Sequence, residues 1–181
     1  MLEDTILLLK FKHGHAQALE RIYQKYKTEL LSLATAMTHD KDVAEDVLQD
    51  VFVSFAKSAK SLHLRTSLRW YLTTAVANRV RNLRRSKHHE ARSLGNFEQI
   101  TADSHKRPEQ MAMTAEEFER IRKALDQLPE VQREVVTLRI HSRMPFKAIA
   151  RLQDATISTV QARYRYGLDK LGSLLDGKAK K

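Results

Sequence analysis

The chain has 181 residues, enough for two small domains that each have a core, and its formal net charge is +10 at pH 7. This charge favours an anionic partner, although nucleic acid, an anionic membrane surface and the ribosome would satisfy it equally well. The absence of cysteine excludes disulfides and thiolate metal sites. No apolar run reaches membrane-spanning length, and Glu3 and Asp4 lie where a secretory signal would be basic. We therefore expect a cytoplasmic protein.

Apolar residues recur at helical spacing almost throughout, and this predicts an all-α fold. A first long helix is predicted from His15 to Met37, and Thr38-His39-Asp40 ends it. The next helix, from about Lys41 to Ala59, is predicted to have one apolar side and one acidic side. The acidic side comprises Asp42, Glu45, Asp46 and Asp50. It is either a solvated face or, taken with the basic helix that follows, the surface for a separate partner.

A third helix is predicted after the polar loop Lys60 to Thr66. It carries Trp70 and Tyr71, becomes strongly basic from Arg79 onward and ends near Arg92. Aromatic rings followed by arginines suit DNA whose strands are held apart, because the rings stack on exposed bases while the arginines follow the backbone. The alternative is that one or both rings belong to the core. The polar segment 93–112 is interpreted as a flexible interdomain linker.

The second half predicts a helix-turn-helix with three short helices. The predicted apolar positions are Leu128, Val131, Val135, Val136, Leu138, Phe146, Ile149, Ala150, Leu152, Val160, Tyr164, Leu168 and Leu171. Pro129 and Pro145 suit first-turn positions, and Thr156 can cap the third helix. In such a unit the last helix lies in the major groove, where Ser158, Gln161, Ala162 and Arg165 would reach base edges. A generic three-helix bundle is the alternative.

Several segments together resemble the bacterial extracytoplasmic-function (ECF) sigma factors. They are residues 14–26, the motif Ala44-Glu45-Asp46-Val47-Leu48-Gln49-Asp50-Val51-Phe52, residues 67–72 and residues 78–85. The second half, residues 124–139 and 149–163, is similar to sigma domain four. The resemblance implies a non-catalytic, dissociable promoter-specificity subunit of RNA polymerase. It implies two small helical domains: sigma domain two at 1–92, the linker at 93–112, sigma domain four at 113–176 and a basic tail at 177–181.

The resemblance also implies partners and sites. The core RNA polymerase would be contacted at its β′ coiled coil and β flap, and an anti-sigma factor is a further expected partner. The implied core-polymerase-binding residues are Asp42, Glu45, Asp46, Gln49 and Asp50. The implied residues for the minus-ten promoter DNA are Lys60, Arg65, Trp70, Tyr71, Asn78, Arg81, Asn82, Arg84 and Arg85. Those for the minus-thirty-five DNA are Thr156, Ser158, Thr159, Gln161, Ala162, Arg163 and Arg165.

Two of the places at which the chain departs from the family pattern bear on its structure. Members commonly have Trp at the position of Tyr71, whereas here Trp70 comes one residue earlier, which displaces the ring by roughly 100° around the helix. The turn residues Gln153, Asp154 and Ala155 replace an apolar residue, a glycine and an apolar residue. Because Asp can adopt the left-handed conformation at some cost compared with Gly, we expect a slightly looser domain four with the same fold.

The histidine pairs of the chain give no sign of a metal site. His13 with His15 and His88 with His89 have no carboxylate or cysteine partners at a metal-ligand spacing. We therefore expect no metal, cofactor, small-molecule substrate or direct membrane insertion, and no enzymatic activity. Two alternatives remain: a stand-alone helix-turn-helix regulator, which would bind paired half-sites as a dimer, and a protein-binding module that sequesters a partner and binds no DNA. Co-purification with core RNA polymerase separates them.

Overall fold

The computed structural model describes residues 2–58, 62, 67–93 and 115–176. For residues 87–93, 115 and 118 it describes the backbone only. These residues form helices and no strand, which confirms the predicted all-α fold. The chain divides into two compact units, Met1–Ser104 and His105–Lys181. The helices are α1 (Leu2–Lys12), α2 (Ala16–Thr38), α3 (Lys41–Ser58), α4 (Leu68–Ser93), α5 (Ala115–Asp126), α6 (Glu130–Ile140), α7 (Phe146–Leu152) and α8 (Ile157–Leu175).

The first unit is built around α2, whose predicted bounds are confirmed within one residue. Ile22, Leu30 and Leu33 of α2 are fully buried. The helix ends at His39, which adopts the left-handed conformation with φ 59° and donates its N–H to the carbonyl of Thr35. Asp40 then opens α3, because its carboxylate accepts the N–H of Asp42 at 2.9 Å and also that of Val43. The predicted break at residues 38–40 is therefore a helix end followed by a helix cap.

The helix α1 was not predicted, because its apolar residues lie on both sides and give no single-face pattern. It is anchored by Asp4, which is buried and accepts hydrogen bonds from Tyr26 Oη at 2.9 Å and Lys25 Nζ at 2.7 Å. Burial acts to raise the pKa of the Asp4 carboxyl, but the hydrogen bonds from Lys25 and Tyr26 outweigh it and the pKa lies below its usual value. Burial and the hydrogen bond to Asp4 raise the pKa of Tyr26.

The second unit contains the predicted helix-turn-helix, preceded by α5. Leu128, Val136 and Leu171 belong to its core. Pro129 and Pro145 occupy the cap positions directly before α6 and α7, one residue earlier than the predicted first-turn positions. The predicted cap at Thr156 is confirmed, since its hydroxyl accepts the N–H of Thr159 at 3.1 Å.

Two of the predicted core positions were wrong. Val131 is 43% exposed and Leu168 is 37% exposed. The inward face of α8 instead passes through Gly167, which lies so close to α6 that a Cβ atom there would be 2.8 Å from Val136 Cγ2. The periodicity of apolar side chains misses this position because glycine has no side chain to count as apolar.

The predicted linker 93–112 and basic tail 177–181 lie outside the described residues, except for the helix end at Ser93. The proposed domain bounds therefore stay predictions. Within the described ranges, no helix combines the length and apolar character needed to cross a membrane.

Candidate functional surfaces

The five predicted polymerase-binding residues share one exposed face of α3. Asp42, Glu45, Asp46, Gln49 and Asp50 are all exposed. We call this set the acidic face. Two of its members have intramolecular cations: Glu45 lies 3.7 Å from Lys41 Nζ, and Asp50 Oδ2 accepts from Arg79 Nε at 2.8 Å. The carboxylate of Asp50 is thus shared between the acidic face and α4.

An apolar groove adjoins the acidic face and was missed by the sequence reasoning. It lies between α2 and α3, has a volume of about 670 Å³ and includes Glu45 and Gln49 in its lining. Tyr23 and Phe52 meet in it edge to face, with ring centroids 4.9 Å apart, and Val53 is 45% exposed. The sequence contains one signal for this groove. Val53 is apolar but lies outside the predicted apolar side of α3, and it lines the groove. The groove and the acidic face together form a mixed apolar and acidic surface.

The aromatic pair before the arginines is half-buried at both positions. Tyr71 packs against the buried Phe55 with ring centroids 6.0 Å apart. Trp70 lies under the guanidinium of Arg69 at 4.8 Å, and Arg69 is in turn paired with Glu29 at 2.7 Å. Both rings therefore have structural contacts and both keep accessible surface. The two rings can therefore pack against the core of the first unit and still offer surface to DNA bases.

The remaining predicted minus-ten residues do not all face the same way. Asn78, Asn82 and Arg85 are exposed and recur at intervals of four and three residues, which places them on one face of α4. Arg81 is half-buried, and the half-buried Arg84 donates from its guanidinium to the carbonyl of Met37 at the end of α2. Lys60 and Arg65 lie outside the described residues.

The amino end of α8 presents most of the predicted minus-thirty-five residues. Ser158, Gln161 and Arg165 are exposed, and the Arg165 guanidinium lies 5.3 Å from the centre of the Tyr166 ring. The hydroxyls of Thr156, Ser158 and Thr159 are joined in the cap, with Thr156 Oγ1 lying 2.9 Å from Ser158 Oγ and 2.8 Å from Thr159 Oγ1. Ala162 and Arg163 are half-buried.

The turn between α7 and α8 has a left-handed residue at Asp154, with φ 48°, as the sequence allowed. The N–H of Ala155 donates to the carbonyl of Ala150 at 2.9 Å, the long-range bond of a Schellman helix end. Gln153, the other substituted turn residue, makes side-chain hydrogen bonds to α6 and α8 that the sequence reasoning did not foresee. Among the described residues, no group of three or more His, Cys, Asp or Glu side chains could hold a metal ion.

Both units of the chain have counterparts among known proteins. Residues 22–90 match the family described as Sigma-70 region 2, and residues 118–171 match Sigma-70, region 4. The RNA polymerase sigma factor YlaC of Bacillus subtilis (strain 168) is 26% identical, over 81% of this chain and 85% of that protein. The ECF RNA polymerase sigma factor SigK of Mycobacterium bovis (strain BCG / Pasteur 1173P2) is 24% identical, over 96% of this chain and 94% of that protein.

Solved structures show the same fold. CnrH, determined in complex with the cytosolic domain of CnrY, has a TM-score of 0.72 at 21% identity and covers 98% of this chain and 99% of its own. RpoE from Bartonella quintana, determined with the anti-sigma factor NepR, has a TM-score of 0.72 at 23% identity and covers 90% of this chain and 99% of its own. These likenesses support the all-α architecture.

The two regional matches together cover more than half of the chain, and both belong to one family. The chain belongs to the sigma-70 family and is an RNA polymerase sigma factor of the ECF type. Sigma factors are non-catalytic transcription initiation factors, so its surfaces are interpreted as binding surfaces.

Proposed function

We propose that the acidic face of α3 docks this sigma factor on the β′ coiled coil of core RNA polymerase. The observation that carries the proposal is the exposure of all five predicted residues on one face beside an apolar groove. An exposed acidic surface attracts a basic partner and fixes its register, while the groove supplies apolar area that charges alone do not. Glu45 and Gln49 belong both to the acidic face and to the lining of the groove.

We further propose that α4 contacts the minus-ten element. Asn78 and Asn82 would read exposed base edges, and Arg85 on the same face would follow the phosphates. The accessible edges of Trp70 and Tyr71 would contribute stacking area. Lys60 and Arg65, which precede α4 in the sequence, would complete this surface.

The helix α8 would read the minus-thirty-five element from the major groove. Gln161 and Arg165 are exposed and one turn apart, so they share a face that can meet base edges. The cap hydroxyls of Ser158 and Thr159 would lie near the phosphate backbone at the amino end of α8.

The domain bounds proposed for these roles are 1–92, 93–112, 113–176 and 177–181. Domain four would also contact the β flap of the polymerase, and an anti-sigma factor would bind the protein and keep it inactive. The latter is supported by the neighbouring structures, in which RpoE is bound to NepR and CnrH to CnrY. Because core RNA polymerase works in the cytoplasm, we place the protein there.

Charge reversal on the acidic face tests the docking proposal. Asp46→Lys combined with Asp50→Lys should lower the affinity for core polymerase at least about tenfold, because a basic partner would meet two new like charges. Folding should be preserved, since the exposed Asp50–Arg79 pair contributes at most about 1 kcal/mol. The matched control is Glu116→Lys combined with Asp176→Lys, which changes the net charge equally at exposed sites in the second unit. Equal holoenzyme formation by both double variants would contradict the proposal.

The free protein provides a second test. We expect its binding to promoter DNA to be weak, salt-sensitive and nearly independent of sequence, because one small domain makes few base contacts. Adding core polymerase should produce sequence preference. Tight footprinting of one duplex site by the protein alone would instead favour the stand-alone regulator.

A further inference from the structure

Three side chains from separate elements of the second unit form a continuous hydrogen-bonded chain. Glu134 of α6 is only 5% exposed, and its Oε2 accepts from Gln153 Nε2 at 2.7 Å. Gln153 Oε1 accepts in turn from Arg163 Nη1 of α8 at 2.7 Å. A neutral amide therefore joins a buried carboxylate to a half-buried guanidinium.

Gln153 uses both ends of its amide in this chain. The same Nε2 also donates to the carbonyl of Val131 at 3.1 Å, so the amide nitrogen has two contacts on α6 while the oxygen faces α8. An apolar side chain at this position could make none of these contacts. Because Gln153 directly precedes the left-handed Asp154, its hydrogen bonds act on the segment that sets the direction of α8.

The position of Arg163 on α8 agrees with an internal role. It lies three residues after Val160 and four before Gly167, and both of those residues are buried. Arg165, two residues further along the helix, is exposed on a different side. The two arginines therefore do not share the face that can enter a DNA groove.

We infer that Gln153 and Arg163 are positioning residues of α8: with Glu134 they fix the angle at which α8 is presented, and Arg163 contacts neither base nor phosphate. The inference rests on the proposed role of α8 in reading the minus-thirty-five element. It revises only the assignment of Arg163 within that role. Asp154 and Thr156 then set the ends of the turn, while Gln153 ties it to α6.

The salt dependence of promoter binding separates a positioning arginine from a phosphate contact. Loss of a phosphate contact lowers the slope of log affinity against log salt by about one unit, whereas holoenzyme carrying Arg165→Met, which loses a base-reading arginine, should bind more weakly and show relaxed preference at one or two upstream base pairs. Arg163→Met should weaken promoter binding roughly tenfold with both the slope and the base preference unchanged, since a charged hydrogen bond is lost inside the protein. A lowered slope in Arg163→Met, or relaxed preference at particular base pairs, would overturn the inference. If neither variant affects recognition of the upstream element, the proposed function of α8 fails instead.

A charge swap tests the chain itself. Gln153→Glu sets a second carboxylate against Glu134 and the Val131 carbonyl, and we expect it to weaken upstream-element binding roughly tenfold. Adding Glu134→Gln should restore part of the lost binding, because the amide introduced on α6 donates to the carboxylate introduced in the turn and so remakes the hydrogen bond in the opposite direction, while the carboxylate still faces the Val131 carbonyl. Circular dichroism checks that each variant is folded. A double variant no better than Gln153→Glu, or one that is unfolded while both single variants fold, would overturn the inference.

Discussion

Gly167 is the position at which a single methyl group should alter both the stability and the function of the second unit. Replacing it with alanine places a Cβ atom 2.8 Å from Val136 Cγ2, with further contacts to Gln132 at 3.6 Å. Val136 is buried and β-branched, so it cannot rotate away cheaply. The helix α8 must therefore move away from α6 or accept the overlap.

The magnitude follows from two opposing terms. Overpacking a well-filled core costs typically about 1–3 kcal/mol, whereas alanine is favoured over glycine inside a helix by about 1 kcal/mol. We expect Gly167→Ala to lower the free energy of unfolding by about 0–2 kcal/mol, the difference between these terms. Gly172→Ala is the matched control, because it lies in the same helix with no atom within 4 Å of the added Cβ. It should be neutral or stabilise by up to about 1 kcal/mol.

Chemical denaturation followed by circular dichroism measures both substitutions. Trp70 is the only tryptophan and lies in the first unit, so its fluorescence transition reports on the part of the protein that was not changed. Gly167→Ala should also reduce transcription from promoters that depend on the minus-thirty-five element, because α8 is displaced. If Gly167→Ala is as stable as Gly172→Ala, the close approach of α8 to α6 is wrong.

Three further predictions concern other parts of the chain. Asp154→Gly should raise the free energy of unfolding by about 0.5–1 kcal/mol, because Asp154 has φ 48° and glycine adopts this conformation without a Cβ penalty; an unchanged denaturation midpoint would contradict the geometry. The lowered pKa of Asp4 means that its carboxylate stabilises the folded state above its unfolded pKa of about 3.9, and that this stability is lost as the pH falls through the folded pKa. The stability advantage of the native protein over Asp4→Asn should therefore be constant near neutral pH and shrink in acid, as measured by denaturation at a series of pH values. Asn78→Ala and Asn82→Ala should change base preference within the minus-ten element, whereas Arg85→Ala should weaken open-complex formation on all promoters similarly, as measured with promoter libraries randomised in one element at a time.

The sequence predicted the helices that have one regular apolar face. The helices α2, α3 and α4 follow the predicted bounds closely, and the acidic face and the cap at Thr156 could be located because their signals are local. The helix α1 could not be predicted in this way. Leu7 and Leu8 are buried, whereas Leu2, Ile6 and Leu9 are exposed. Apolar residues therefore occur on all sides of α1 and define no single face.

The contacts that escaped prediction are those between residues far apart in the chain. Arg79 meets Asp50, Arg84 meets the end of α2, and Gln153 meets Glu134, and no local pattern in the sequence specifies any of these pairs. These contacts change the roles that are inferred for residues within the motifs. An arginine on a DNA-reading helix suggests a phosphate or base contact until its partner inside the protein is known. For Arg84 and Arg163, half-burial and an internal acceptor indicate that part of the positive charge assigned to DNA binding holds the helices in place.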